Sequence, residues 1–433
     1  MSIGLLLRAK LLRTFFSKLA GRQEPDQLLK EMERWIGDYC QDLRATAYIG
    51  ERDTNPTLFC RLHPAAEDLE ISFIGDEQLT VSASTSSCGP GYHIFTCHLL
   101  HKLGEKFRLQ WEEPGEEYGD ETGYFHSGDR DHVFAEITKW LQTLASWFFD
   151  GTLKDREHPP TRLAMSLDTG FTWNARAITP LGPRGEDWLG AVAQDGNEGQ
   201  DFFAWWNPEL NAEYFLRRAL VRIWSDVRWR PPSDDAEKQA LSYIADSLET
   251  AYKLDANLQY PWAEWSEILG YLGRIDDEHQ FVHDRSGITR PTIGYRRHDV
   301  VVQLPGNWWI TVPGSFGDFR SDENHNYFAL DLPREVWVTS YTFKGDLPAL
   351  LESQRDEILK KESVLVHEAE NYVAWAEIKK KAHEGKEWFS LTSSNVGLGN
   401  RAVCTIVFTN PEDRDWAIGV WKSLQPPQPP SAQ

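Results

Sequence analysis

The sequence predicts an α+β protein of several domains, built from small antiparallel-rich sheets flanked by helices. Three observations carry this. The chain has 433 residues, more than one hydrophobic core usually organises. Short runs of alternating apolar and polar residues are interleaved with segments whose apolar residues recur at helical spacing. Finally, 19 Trp, 21 Phe and 14 Tyr supply enough large apolar surface to fill more than one core.

Residues 1–22 carry Arg8, Lys10, Arg13, Lys18 and Arg22 and no acid. Their leucines and phenylalanines form a broad arc on a helical wheel, with Arg8 inside it. This reads as a basic amphipathic helix, too short and too charged to span a bilayer and without a secretory apolar core. Such a helix suits packing on its own body or on a partner, or contact with an anionic membrane surface.

Residues 23–150 read as an α+β domain. A helix is expected over 27–43, then strands over 57–62, 69–74 and 79–84, with Gly75-Asp76 as a hairpin turn. Gly89-Pro90-Gly91 introduces a helix over 92–103, followed by a strand over 107–111. The acid-rich stretch 112–131 reads as a solvated loop, and 131–149 as a helix with a buried stripe. After a linker with Pro159-Pro160, residues 161–290 read as strands (162–167, 172–179, 188–193) and then helices (207–228, 233–253, 262–269), Ser233 capping the second. Residues 291–424 form a third domain, with strands over 299–304, 308–312, 327–332, 336–343, 363–367, 371–379, 387–393 and 401–409. Helices are expected over 346–361 and 411–424. The Pro-rich tail 425–433 reads as frayed.

The formal charge is −21 although the first 22 residues are basic, so the rest is more acidic still. Such a body repels nucleic acid phosphates and steers a basic partner, although acidity also serves solubility. The five cysteines, Cys40, Cys60, Cys88, Cys97 and Cys404, are scattered, without a disulfide framework or paired Cys-x-x-Cys motifs. A reducing, cytoplasmic setting fits them. No dinucleotide fingerprint, nucleophile elbow or His-Glu-x-x-His motif occurs, and no cofactor is expected.

In the third domain, Leu304-Pro305-Gly306-Asn307-Trp308 precedes the second strand. The final strand leads through Asn410-Pro411-Glu412 to Trp416, Trp421, Ser423 and Leu424. These residues resemble those of the PsbP-like α/β/α sandwich, whose bacterial members include chaperones for secreted toxins. The resemblance covers 291–424 and implies a fold without a fixed active site. The chain as a whole looks like the large immunity proteins found beside bacterial polymorphic toxins, a likeness of style that does not dictate function.

Four places hold candidate functional residues. In Cys88-Gly89-Pro90-Gly91-Tyr92-His93 the glycines permit a tight turn before a helix N-terminus. Amides there could hold an anion or activate Cys88, with His93 as its base; a plain strand-to-helix turn is the structural alternative. His98 and His101, at i and i+3, share one helical face and could ligate a metal with a distant carboxylate. The acids Glu116, Glu117, Asp120 and Glu121 form a solvated loop, a docking surface for a basic partner or a metal site, although the fixed EF-type spacing is absent. Trp205, Trp206, Trp308 and Trp309 are interface anchors if exposed and core if buried. Together these features lead to the expectation of a non-enzymatic, cytoplasmic bacterial binding protein that neutralises or escorts a toxin or effector. It would occlude its partner with an acidic, aromatic-rich surface. The alternative is a hydrolase using Cys88 and His93.

Overall fold

The computed structural model describes residues 2–12, 25–75, 77–149, 163–164, 177–288, 293–321, 326–342, 347–361, 364–369, 372–383, 385–397 and 400–426. The chain divides into two compact units, not three. Unit 1 holds residues 1–167, 173–226 and 231–294; unit 2 holds 168–172, 227–230 and 295–433. The expected boundary between 150 and 161 therefore separates no compact units, and the helices of 161–290 belong with the first sheet.

Unit 1 opens with strand β1 (Gly4–Leu11), where an amphipathic helix was expected. The reason lies in the alternation. Leu5, Leu7 and Ala9 are buried on one face, while Leu6 is exposed on the other, where Arg8 lies over the Tyr118 ring. Arg8 interrupts a helical apolar arc but falls on the correct side of a strand. Residues 13–22 lie outside the described residues. Helix α1 (Pro25–Tyr39) follows, burying Leu28, Leu29, Met32 and Ile36. Strands β2 (Thr46–Arg52), β3 (Asn55–Arg61), β4 (Leu69–Ile74) and β5 (Gln78–Ser84) come next. Helix α2 (Pro90–Phe107) leads to β6 (Leu109–Trp111) and β7 (Gly119–Asp120). The strands form one antiparallel sheet of order β2-β3-β4-β5-β1-β6, with β7 also paired to β1. β1 is thus an interior strand, not an appendage.

Helices α3 (Tyr124–Ser127) and α4 (Arg130–Phe149) follow. A three-stranded sheet is made by β8 (Leu163–Ala164), β9 (Ala177–Thr179) and β10 (Gly182–Arg184), with β8 parallel to β9. The segment 188–193, expected as a strand, lies inside helix α5 (Glu186–Gln194). Leu189, Gly190 and Val192 are its buried residues, Leu189 and Val192 one turn apart, and Glu186 and Asp187 occupy its first turn, where the helix dipole favours acids. Helices α6 (Ala212–Ser225), α7 (Asp235–Leu254), α8 (Trp262–Leu272) and α9 (Gln280–Arg285) complete the unit. Asp234, not Ser233, caps α7 by accepting from the Glu237 amide, while the Ser233 hydroxyl donates to Glu237. Tyr252, Tyr260, Trp262, Trp265 and Phe281 form an aromatic core among these helices.

Unit 2 holds the hairpin β11 (Val300–Gln303) and β12 (Trp309–Val312), then β13 (Gly317–Ser321), β14 (Asn326–Asp331) and β15 (Arg334–Thr342). Helix α10 (Leu347–Leu359) precedes β16 (Leu365–Ala369), β17 (Tyr372–His383), β18 (Lys386–Gly397) and β19 (Asn400–Phe408), and α11 (Arg414–Lys422) closes the unit. The sheet order is β13-β14-β15-β19-β18-β17-β16, antiparallel throughout. Asn395 organises its interior: its side-chain oxygen accepts from the Trp421 indole at 2.9 Å and the Tyr372 hydroxyl at 3.1 Å, and its amide donates to Ser393 and to the Ala402 carbonyl. Among the described residues no helix is long and apolar enough to cross a membrane.

Two predictions follow from unit 1. Removing residues 1–11 deletes an interior strand, so the truncated chain should lose the cooperative melt of unit 1; a truncation that melts like the full chain would contradict the strand. His279 donates to Glu249 at 2.9 Å and Asp276 at 2.6 Å. Burial lowers its pKa, but these two partners outweigh burial and raise it above the ordinary value. Its stabilising contribution is therefore fully present below the unfolded value and lost as pH rises through the folded one. In denaturant titrations, His279→Gln should destabilise the protein more at pH 6 than at pH 9.

Candidate functional site

Two neighbourhoods in unit 1 collect the candidate residues other than Trp308 and Trp309, which lie in unit 2: the start of α2 and the sheet face that the helices leave open.

At the start of α2 the glycines serve a backbone joint. Gly89 has φ +122°, a conformation that L side chains rarely adopt. The Trp205 amide donates to the Cys88 carbonyl at 2.8 Å, and the Gly91 amide donates to the Trp205 carbonyl at 3.1 Å. A Cβ on Gly89 would lie 2.5 Å from the Trp205 carbonyl oxygen, and one on Gly91 the same distance from the Asn207 carbonyl carbon. The turn thus lets residues 205–207 approach the helix start, and the Gly91 amide expected to hold an anion is already bonded.

The expected Cys88–His93 pair is not assembled. Cys88 is fully buried, and its sulfur lies 3.4 Å from Nδ1 of His63, not near His93. Burial pushes the Cys88 thiol well above its ordinary pKa, with Arg218 only partly opposing, which favours the neutral thiol in the native fold. Burial, then Arg218 and Arg222, lower the pKa of His63. His93 instead meets Thr85 through Nδ1 at 2.8 Å, and Asp120 and Thr122 through Nε2.

His98 and His101 do not converge on a shared carboxylate. His98 bonds the Tyr124 hydroxyl at 2.9 Å, while His101 bonds the Phe125 carbonyl at 2.8 Å and stacks on the Phe125 ring. The cluster that does form, His93, Cys97 and Asp120, was missed. Its helical half was readable, since His93 and Cys97 are one turn apart; Asp120 approaches from β7, across the sheet edge.

The acidic stretch is also more structured than a solvated loop. Asp120 has no exposed side-chain surface and is removed from any docking role. Burial raises its pKa, but hydrogen bonds from His93 and from the Phe125 and Thr122 amides more than offset this and hold it below the ordinary carboxylate value. Glu121 accepts from the Gly4 amide at 2.7 Å, which fastens the loop to β1. Glu116 and Glu117 remain exposed. Two of the four candidate tryptophans, Trp205 and Trp308, are fully buried and cannot serve as surface anchors. Trp206 is half-buried against Phe134 and Phe203, and Trp309 is half-buried on β12.

The open face of the first sheet is the surface that these corrections leave. Register places Tyr48, Phe59, Glu70, Ser82 and Leu6 in one cross-strand row ending at Gly119. Tyr48 stacks on Phe59 at 5.2 Å. Arg61 pairs with Asp68 at 2.5 Å, and Arg52 pairs with Glu70. The chain from Pro114 to Glu121 rises along the β1 side. The cleft so formed has a volume of about 890 Å³. Its lining includes Glu67, Glu116, Glu117 and Glu121, all exposed acids. It offers a flat aromatic floor and a negative wall.

No family model matches the chain, and no curated protein matches it. Among solved structures, a crystal structure from Bacteroides thetaiotaomicron VPI-5482 is similar over 30% of this chain, at 12% identity and a TM-score of 0.26. The match covers 48% of that protein, so the chain spans about half its length, and a likeness at this level carries no argument.

All five cysteines are buried and free. The native protein should therefore show no fast-reacting thiol toward a disulfide reagent, and five after denaturation. A single rapid thiol assigned to Cys88 by mass would reopen the nucleophile.

Proposed function

We propose that unit 1 is a protein-binding module whose open sheet face takes a basic segment of a partner protein. On this reading the chain neutralises or escorts a toxin or effector in the bacterial cytoplasm by occluding it. The observation that carries the reading is the cleft itself, with its stacked Tyr48–Phe59 floor beside the acidic wall of Glu116, Glu117 and Glu121. The two arginines in its lining, Arg52 and Arg61, are each tied to an acid, so the exposed surplus is negative. A guanidinium or ammonium group suits such a place: its charge meets the carboxylates, and its apolar stem or planar head lies on the rings. The long-range field steers encounter and weakens with salt.

Unit 2 supports the escort part of the reading through its resemblance to the PsbP-like sandwich. Its sheet carries helices on both faces: Val373 packs under α10 with Leu351 and Val396, whereas Tyr372 and Ala374 belong to the core shared with Trp421 of α11. The hydrolase alternative loses support because Cys88 and His93 are separate and enclosed.

The test is co-purification of the tagged protein from its native host. One stoichiometric basic partner is expected with the native chain. The variant carrying Glu116→Lys, Glu117→Lys and Tyr48→Ala should lose about 10-fold or more of it, the scale of one or two interface anchors. Full retention by that variant, or turnover of a substrate by the purified chain alone, would contradict the reading.

A further inference from the structure

We infer that His93, Cys97 and Asp120 form a structural binding site for a divalent transition metal, zinc by its donor chemistry. The three side chains come from two elements. His93 and Cys97 stand one turn apart on α2, and Asp120 comes from β7. Nε2 of His93 lies 3.2 Å from Oδ1 of Asp120 and 3.3 Å from Oδ2, with the Cys97 sulfur 3.7 Å away. One donor atom from each residue lies within 4.8 Å of the others. Donors around a tetrahedral zinc, at bond lengths of about 2.0–2.3 Å, stand about 3.3–3.7 Å apart. The two nearly equal distances to the Asp120 oxygens let that carboxylate supply the third donor, through one oxygen or as a chelate.

The hydrogen bonding around the cluster accommodates the imidazole tautomer that a metal needs. The Thr85 hydroxyl sits 3.3 Å from the Ile3 carbonyl and 2.8 Å from Nδ1 of His93. A hydroxyl has one proton. Given to the carbonyl, it leaves the oxygen to accept the Nδ1 proton, the arrangement that orients most metal-binding histidines. In that tautomer Nε2 turns its lone pair toward the Asp120 carboxylate and the Thr122 hydroxyl, which lies 2.9 Å away, and leaves that side open to a cation. A proton would satisfy His93 and Asp120 alone. A soft sulfur donor on the same point favours a metal. The charges also close: a dication with one thiolate, one carboxylate and a neutral imidazole is neutral overall, as an enclosed site requires. Binding displaces the Cys97 thiol proton and any proton on Nε2. The Asp120 carboxylate is already oriented by the Thr122 and Phe125 amides. The metal would clamp the base of the acidic wall to α2, whatever occupies the cleft.

The experiment uses the full chain, produced in zinc-supplemented medium with a histidine-free tag, and measures metal content and the spectrum of the cobalt-loaded form. The expected result is about one zinc per chain, a thiolate-to-cobalt charge-transfer band, and a melting midpoint raised by zinc. Cys97→Ser should lose the band and most of the zinc. Because His93→Gln and Asp120→Asn disturb buried hydrogen bonds, circular dichroism is recorded on every variant and Cys97→Ser decides the outcome. A folded native chain with less than about a tenth of an equivalent of zinc overturns the site. So does a folded Cys97→Ser variant with undiminished zinc and an unchanged cobalt spectrum.

Discussion

Unit 1 depends on the close approach of two stretches of backbone, Cys88–Gly91 and Trp205–Asn207. Two hydrogen bonds join them, and there is no space for a Cβ on Gly89 or Gly91. The joint places Trp205 in the core, where it touches Tyr92, Phe95, His63 and Tyr214. Through it the first sheet and the later helices share one hydrophobic core, which runs from Leu5 to Val221. The same constraint explains the glycines of a motif that resembles an activated turn: their conformational freedom is used for packing.

Polar groups enclosed by this core are handled by pairing. Arg218 is buried yet donates to the Tyr214 hydroxyl at 3.0 Å and to the Leu43 carbonyl, and lies over the Tyr243 ring. Burial lowers its pKa to about 10, which leaves it charged at neutral pH. Asp120 and His93 answer each other in the same way beside the first turn of α2. Polar satisfaction inside therefore draws one acid out of the acidic loop, while the remaining acids face the open side of the sheet. The two faces of β1 thus do different work: Leu5, Leu7 and Ala9 hold the fold, and Leu6 and Arg8 belong to the surface beside the cleft.

Much of the fold is legible from the sequence because side-chain period is local. The strands at Leu69–Ile74, Gln78–Ser84 and Asn400–Phe408 follow directly from alternation, and α4 from its stripe. What is not legible depends on distant partners. Leu5-Leu6-Leu7 satisfies both a helical arc and a strand, and only pairing with β5 selects the strand. Residues 188–193 are short enough to read either way until α4 covers Leu189 and Val192. Trp205 and Trp308 are indistinguishable in sequence from exposed anchors, since an aromatic residue serves core and interface equally well. At the candidate site the acids of the loop were visible. The aromatic floor was not, because Tyr48 lies on the unanticipated strand β2 and meets Phe59 only through register.

The central claim is that a partner occupies the open face of the first sheet. The most direct measurement is amide hydrogen exchange of the chain alone and with its co-purified partner bound. The account predicts added protection in residues 46–61, 67–72 and 114–121, with unit 2 little changed. Protection confined to unit 2, with these three segments exchanging as in the free protein, would contradict it.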